Sequence, residues 1–295
     1  MPLESSGLYL TPLSPWKRFW GLLRGAMVAS FEDNVFGIAK GAAYSGLLAF
    51  FPILASLAAI LTQVKADAVS RVISRFLFEV VPPGSEDLIH YVFTVKGQRP
   101  VALLIVAAIL SVWGASGAII SLMEGFEAAH KLPSSRPFLE NRAVAVFLVV
   151  IAFLPAIGAS ALIVFGNRTE SAILQWLGFL PRGKELPWSV ILLSRLLRYL
   201  LAFATVVFVN GLLYYFGPNC QVRFKRVWPG AFLSTIVWLL ATSGFAWYVR
   251  NMGKYNLIYG SIGTFIALLV WLYLLAVIAM IGCEFNVIRD QLDTA

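Results

Sequence analysis

The sequence predicts an all-α, polytopic membrane protein with six transmembrane helices, and three observations carry that prediction. Of 295 residues, 59% are hydrophobic and only 13% are charged, whereas a soluble globular domain carries about 25% charged residues. Six apolar runs are long enough to cross a bilayer core: residues 40–62, 100–122, 143–165, 195–217, 229–249 and 258–282. Period-2 alternation is absent, which argues against a β-barrel.

The runs partition the chain as one integral membrane domain over 1–295, with an N-terminal segment 1–39, a six-span bundle 40–282 and a tail 283–295. An even span count puts both termini on one side. The basic residues divide almost evenly between the two sides. The short fourth loop is the best local signal, with Arg223, Lys225 and Arg226 close together. Positive residues favour the cytoplasmic side in short loops, so both termini are assigned to the cytoplasm. The N-terminus lacks a compact apolar core with a small-residue cleavage site, so no cleavable signal peptide is read.

The first span contains Tyr44, Ser45 and an internal proline, Pro52. Proline removes a backbone donor and bends or interrupts a helix. Pro155 does the same in span three. Interrupted helices line binding sites in transporters, and a fixed kink is the plainer reading. Small residues stand four apart in Ala42/Gly46 and Gly114/Ala118. They allow close helix approach in lipid, with substrate clearance as the other reading.

Between spans one and two, residues 64–99 are amphipathic. Val69, Val72, Ile73, Phe76, Leu77 and Val80 recur at helical spacing, ended by Pro82-Pro83-Gly84. Such a helix lies on the membrane surface or caps the bundle. Trp16–Ala29 is a weaker candidate for another interfacial helix.

Polar groups at membrane depth are costly and therefore functional suspects. Asn210, with Tyr214 and Tyr215 after it, lies in span four. Arg195 and Arg198 start that span, placed to snorkel to the interface. Glu124 and Glu127 close span two. Glu284 and Asn286 follow span six, whose start carries Tyr259 and Gly260. Glu284 is expected to form a structural ion pair with Lys40 or Arg226, with a substrate or proton role as the alternative.

Catalytic constellations are missing from the text. The two histidines, His90 and His130, are far apart, and no HExxH, paired CxxC, GxSxG or Walker A pattern occurs. The expectation is therefore a non-enzymatic chain with no catalytic residue, no metal ligand and no cofactor. Cys220 and Cys283 are read as reduced thiols. The net charge of +8 sits in loops and at span ends. There it meets anionic lipid headgroups rather than nucleic acid.

Several segments, in order along the chain, resemble the YihY/virulence factor BrkB family of bacterial inner-membrane proteins. They are Ala39–Pro52, Arg136-Pro137-Phe138, Tyr214–Pro218 with Trp228–Ala231, Tyr259–Gly263, Trp271-Leu272-Tyr273 and Gly282–Asn286. The resemblance implies six spans, cytoplasmic termini and an inner-membrane location. In one place the text departs: the family's Asn after span two is Glu127 here. Some members carried a ribonuclease label. Metal-dependent RNA hydrolysis needs clustered ligands, which this sequence does not supply, so the chain is read as not a ribonuclease. The family is uncharacterised and implies no biochemical activity.

Two functions are then weighed. The first is a transporter or flippase-like protein for a lipid or amphipathic envelope molecule. The second is a non-transporting scaffold in envelope biogenesis or serum resistance, with an envelope-protein partner or a second copy of itself. The partners expected are membrane lipids, including anionic headgroups.

Overall fold

The computed structural model describes residues 15–64, 101–133, 136–155, 158, 188–251 and 255–294. The amphipathic 64–99 region lies outside the described residues, apart from Val64 at its edge.

The described chain is helical. Helix α1 spans Pro15–Glu32, α2 Val35–Val64 and α3 Val101–Ala129. Helix α4 spans Phe138–Pro155. Helix α5 spans Trp188–Phe216, α6 Trp228–Asn251 and α7 Tyr255–Thr294, with a 3-10 turn at Phe224–Arg226. Among the described residues, α2 to α7 each contain a stretch long and apolar enough to cross a membrane. Their lipid-facing surface is apolar, as a bilayer solvent requires. Leu196, Leu197 and Leu200 of α5, and Ile105, Ile109 and Trp113 of α3, are all exposed.

Several limits differ from the sequence reading. Helix α7 has 40 residues, about 60 Å at 1.5 Å per residue. It overshoots a bilayer core of about 30 Å and carries residues 283–294 as uninterrupted helix. Helix α5 starts at Trp188, so Arg195 and Arg198 lie about two and three turns inside it. There Arg198 bonds back to Ser194, with Nε 3.2 Å from the carbonyl. Pro52 does not break α2, which runs through it. Ser56 Oγ donates to the Pro52 carbonyl at 2.8 Å. Pro155 ends the described part of α4.

Helices α2 and α3 pack most closely, and α7 runs against α1, α2, α3 and α6. The buried core joins Val35, Ala39 and Ala42 of α2 to Met123 and Phe126 of α3. Leu148 of α4, Tyr214 of α5, Ala231 of α6, and Met280 and Cys283 of α7 complete it. Small residues set the spacing. A Cβ on Gly114 would stand 2.9 Å from Ala49 Cα, so that glycine holds α3 against α2.

Helix α1 is the amphipathic element glimpsed at Trp16–Ala29. Leu22 and Ala26 bury against Phe285 of α7, while Trp16 and Trp20 stay exposed. An ion pair between Arg18 and Asp293 ties the start of α1 to the end of α7. The first described helix and the last therefore share one face of the bundle.

Candidate functional site

Helix α6 begins at Trp228, directly after Val227, whose apolar side chain cannot cap it. The first N–H groups of a helix have no intrahelical acceptor. Asn286 of α7 supplies the cap from outside. Its Oδ1 accepts from the Gly230 N–H at 2.7 Å, and its Nδ2 donates to the Val227 carbonyl at 2.9 Å. The approach requires two glycines. A Cβ on Gly230 would run into the Gly282 carbonyl and the Asn286 amide. One on Gly282 would meet Tyr214 Oη at 2.5 Å and Ser234 Cβ at 2.8 Å.

Tyr214 is 1% exposed and its hydroxyl is held twice. It donates to the Ala279 carbonyl at 2.7 Å and lies 3.0 Å from Ser234 Oγ. Its ring meets Phe126 edge-on, with centroids 5.2 Å apart. Met280 closes against α3, where a Cβ on Gly125 would stand 2.6 Å from its Sδ. Phe126, Tyr214, Met280 and Cys283 thus form one buried layer across the bundle.

The described helices also line two cavities. The inner one measures about 250 Å³ and is lined by five helices, including Ala42, Gly46, Ala118, Asn210, Trp238 and Leu272. Three of the small residues read from sequence as packing or clearance therefore face open space. Asn210 is its polar mark, with Nδ2 donating to Thr235 Oγ1 at 3.1 Å. The outer cavity, about 500 Å³, lies on the terminus-bearing face between α1, the end of α3 and α7. Apolar Val28, Ala29, Val287 and Ile288 share its wall with Arg24, Glu32, Lys131 and Glu284. Along α7 the two cavities are separated by the step from Ala279 to Glu284, about 7.5 Å of helix.

Glu284 is 1% exposed. Its surroundings correct the sequence expectation. Arg226 pairs with Asp290 at 3.4 Å, and the cation near Glu284 is Lys131, not Lys40 or Arg226. Lys131 Nζ is itself bonded to Asp33. That contact lifts the Lys131 ammonium above its ordinary value, the hydrogen bond to Asp33 being the largest cause. Asp33 also lies within side-chain hydrogen-bonding reach of Glu284. Residues 32, 33, 131 and 284 so gather from three separate stretches.

The backbone that delivers Lys131 is unusual. It has φ +56°, a left-handed conformation that costs a non-glycine residue about 1 kcal/mol or more. The Lys131 N–H bonds to the Ala128 carbonyl at 2.9 Å and that of Leu132 to Glu127 at 3.0 Å. This is a Schellman end, where glycine is usual. A lysine there sends its ammonium to Asp33 instead. The sequence reading singles out neither Asp33 nor Lys131.

Two arginines outside the spans predicted from sequence also find partners in the bundle. Arg142 lies in α4, with its guanidinium 4.1 Å from the Trp113 ring centroid and Nη1 donating to Ser116 Oγ at 2.8 Å. Arg136 closes the end of α5 by donating to the Gly217 carbonyl at 2.9 Å, and it faces the buried Glu127. Burial raises the thiol of nearby Cys220. Both cysteines are free thiols. Tyr44 is 61% exposed and lines neither cavity. Tyr259 and Gly260 lie in α7 near its start, and their surroundings lie outside what the structure describes. Among the described residues no group of three His, Cys, Asp or Glu is placed to hold a metal.

The family model described as virulence factor BrkB matches residues 26–295. The chain is 27% identical to the ribonuclease-like protein YfkH of Bacillus subtilis (strain 168), over 84% of this chain and 88% of YfkH. It is 25% identical to a UPF0761 membrane protein of Tolumonas auensis, over 92% and 82% of the two chains. It is 28% identical to a UPF0761 membrane protein of Alteromonas mediterranea, over 86% and 83%. No solved structure matches.

Proposed function

The chain is a multi-pass membrane protein that belongs to the virulence factor BrkB family, and from that premise we propose that it moves a lipid or another amphipathic envelope molecule across the bacterial inner membrane. The observation that supports this is a pair of cavities whose linings both include α3 and α7. A charged outer cavity of about 500 Å³ suits a polar headgroup. An apolar inner one of about 250 Å³ suits part of a hydrocarbon tail. Ligand sites commonly measure about 300–1,000 Å³, so the two together have the size for such a molecule. In this reading the buried layer of Phe126, Tyr214, Met280 and Cys283 is the closed gate, and the terminus-bearing face is the cytoplasmic one. The chemistry asked of the protein is passage, not bond cleavage. A headgroup must be drawn from water past Phe126 and Tyr214, and the carbonyl and hydroxyl partners of Tyr214 are the polar groups available to it there.

Reconstitution tests the proposal. The purified protein is placed in vesicles containing a headgroup-labelled phospholipid on both leaflets, and a membrane-impermeant quencher is added outside. Loss of more than the outer-leaflet signal supports transport. Folded protein that leaves the inner-leaflet label protected, across the major envelope phospholipids, contradicts it. A stoichiometric protein partner crosslinked in native membranes, with no lipid movement, favours the scaffold instead.

A further inference from the structure

Asp33 Oδ2 and Glu284 Oε1 are both buried from water and have no hydrogen-bond donor in the structure. Each orphaned buried oxygen costs about 1–3 kcal/mol, and more when charged. Yet the two carboxyl groups lie within hydrogen-bonding reach of one another. Two carboxylates offer only acceptors, so their contact becomes a bond only when one of them carries a proton. Water and metal ions have volume, and neither oxygen is open to a water-sized sphere. A proton needs none.

We propose that Asp33 and Glu284 form a proton-binding site, sharing one proton at the floor of the outer cavity. The charges then balance. Asp33 is an anion paired through its other oxygen with Lys131, and Glu284 is the neutral acid that donates to it. Among the described residues, four groups bear on the pair. Glu32 at the end of α1 disfavours a second negative charge, and Lys131 after α3 favours one. Arg24 of α1 lies across the cavity, and Cys283 of α7 adjoins Glu284. Asp33 sits on the turn between α1 and α2, and Glu284 on α7. Any movement of α7 away from that turn parts the two carboxyls and lets water reach both. Glu284 then ionises and the proton leaves. The proton therefore stabilises the closed layer, and opening releases it. This coupling rests on the transport reading, whereas the shared proton does not.

Infrared spectroscopy of the purified protein in lipid nanodiscs, without substrate, tests the site. The expected result is a protonated-carboxyl C=O band at neutral pH in the wild type. Glu284→Gln abolishes it, and the control Glu127→Gln retains it. The amide introduced by Glu284→Gln keeps a donor for Asp33, so this variant is expected to melt as the wild type does. A wild type without the band overturns the proposal, whether or not any variant folds. So does a band that survives Glu284→Gln or is lost in Glu127→Gln. Because the readout involves no lipid movement, failure of the shared proton and failure of transport are separate outcomes.

Discussion

Asn286 caps a helix to which it does not belong: its Oδ1 takes the Gly230 N–H at 2.7 Å while its Nδ2 holds the Val227 carbonyl at 2.9 Å. Removing that amide leaves the Gly230 N–H unpaired and takes one of two donors from the Val227 carbonyl, which keeps the Ala231 N–H at 3.1 Å. Asn286→Ala is expected to destabilise the fold by about 1–3 kcal/mol, the cost of one orphaned buried group. A thermal melt of the detergent-solubilised protein, read by monodispersity on size exclusion, checks it. A melt within error of the wild type would remove the cap from the explanation of how α6 and α7 join.

Gly230 and Gly282 are separated by most of α6 and α7, yet they face each other. Gly230→Ala and Gly282→Ala each place a methyl group into backbone or packed side chains. Both are expected to abolish folded expression. Gly244 of α6 has nothing near its missing Cβ. Gly244→Ala is expected to be neutral or to stabilise by up to about 1 kcal/mol, the helix cost of glycine relative to alanine. Comparable expression of all three variants would contradict the close approach.

The thiols report on the buried layer. Cys283 is 1% exposed and borders the gate. Cys220 lies outside the spans, partly exposed, with burial holding its thiol above the usual range. A membrane-permeant maleimide at neutral pH is expected to label Cys220 slowly and Cys283 not at all in the resting protein. Mass spectrometry distinguishes the two sites. Prompt labelling of Cys283 at rest would show that the layer is not closed.

Lys131 gives an alkaline prediction. Its folded value is raised above the ordinary 10.5, chiefly by the hydrogen bond to Asp33. The stability this contributes is complete below the ordinary lysine value and disappears as pH rises through the raised one. Lys131 is largely exposed, so the effect is small. Lys131→Met is expected to start from a slightly lower melting temperature and to lose less between neutral and strongly alkaline pH. Equal slopes for wild type and variant would contradict the Lys131–Asp33 linkage.

The spans were legible because a bilayer demands long uncharged runs, and hydropathy reads such runs directly. Asn210, Tyr214, Glu284 and Asn286 also stood out, since polar groups in apolar text carry their own flag. Their partners did not. Asp33 and Lys131 occupy helix ends, where charge is ordinary and carries no signal. Lys131 further hides its helix end by standing where glycine would mark it. Arg142 gave no signal because the apolar run of span three begins at residue 143, whereas α4 starts at Phe138. The meeting of Gly230 with Gly282 depends on how α6 crosses α7, which local text does not encode.

Lipid movement through a widened layer tests transport most directly. Phe126→Ala removes the ring that meets Tyr214 in the proposed gate. It is reconstituted beside the wild type in vesicles carrying headgroup-labelled phospholipid, with the quencher outside. The expected result is quenching of inner-leaflet label by the wild type, at least several-fold faster with Phe126→Ala. Folded wild type and folded variant that both leave the label protected at the rate of protein-free vesicles would contradict a lipid path through this bundle.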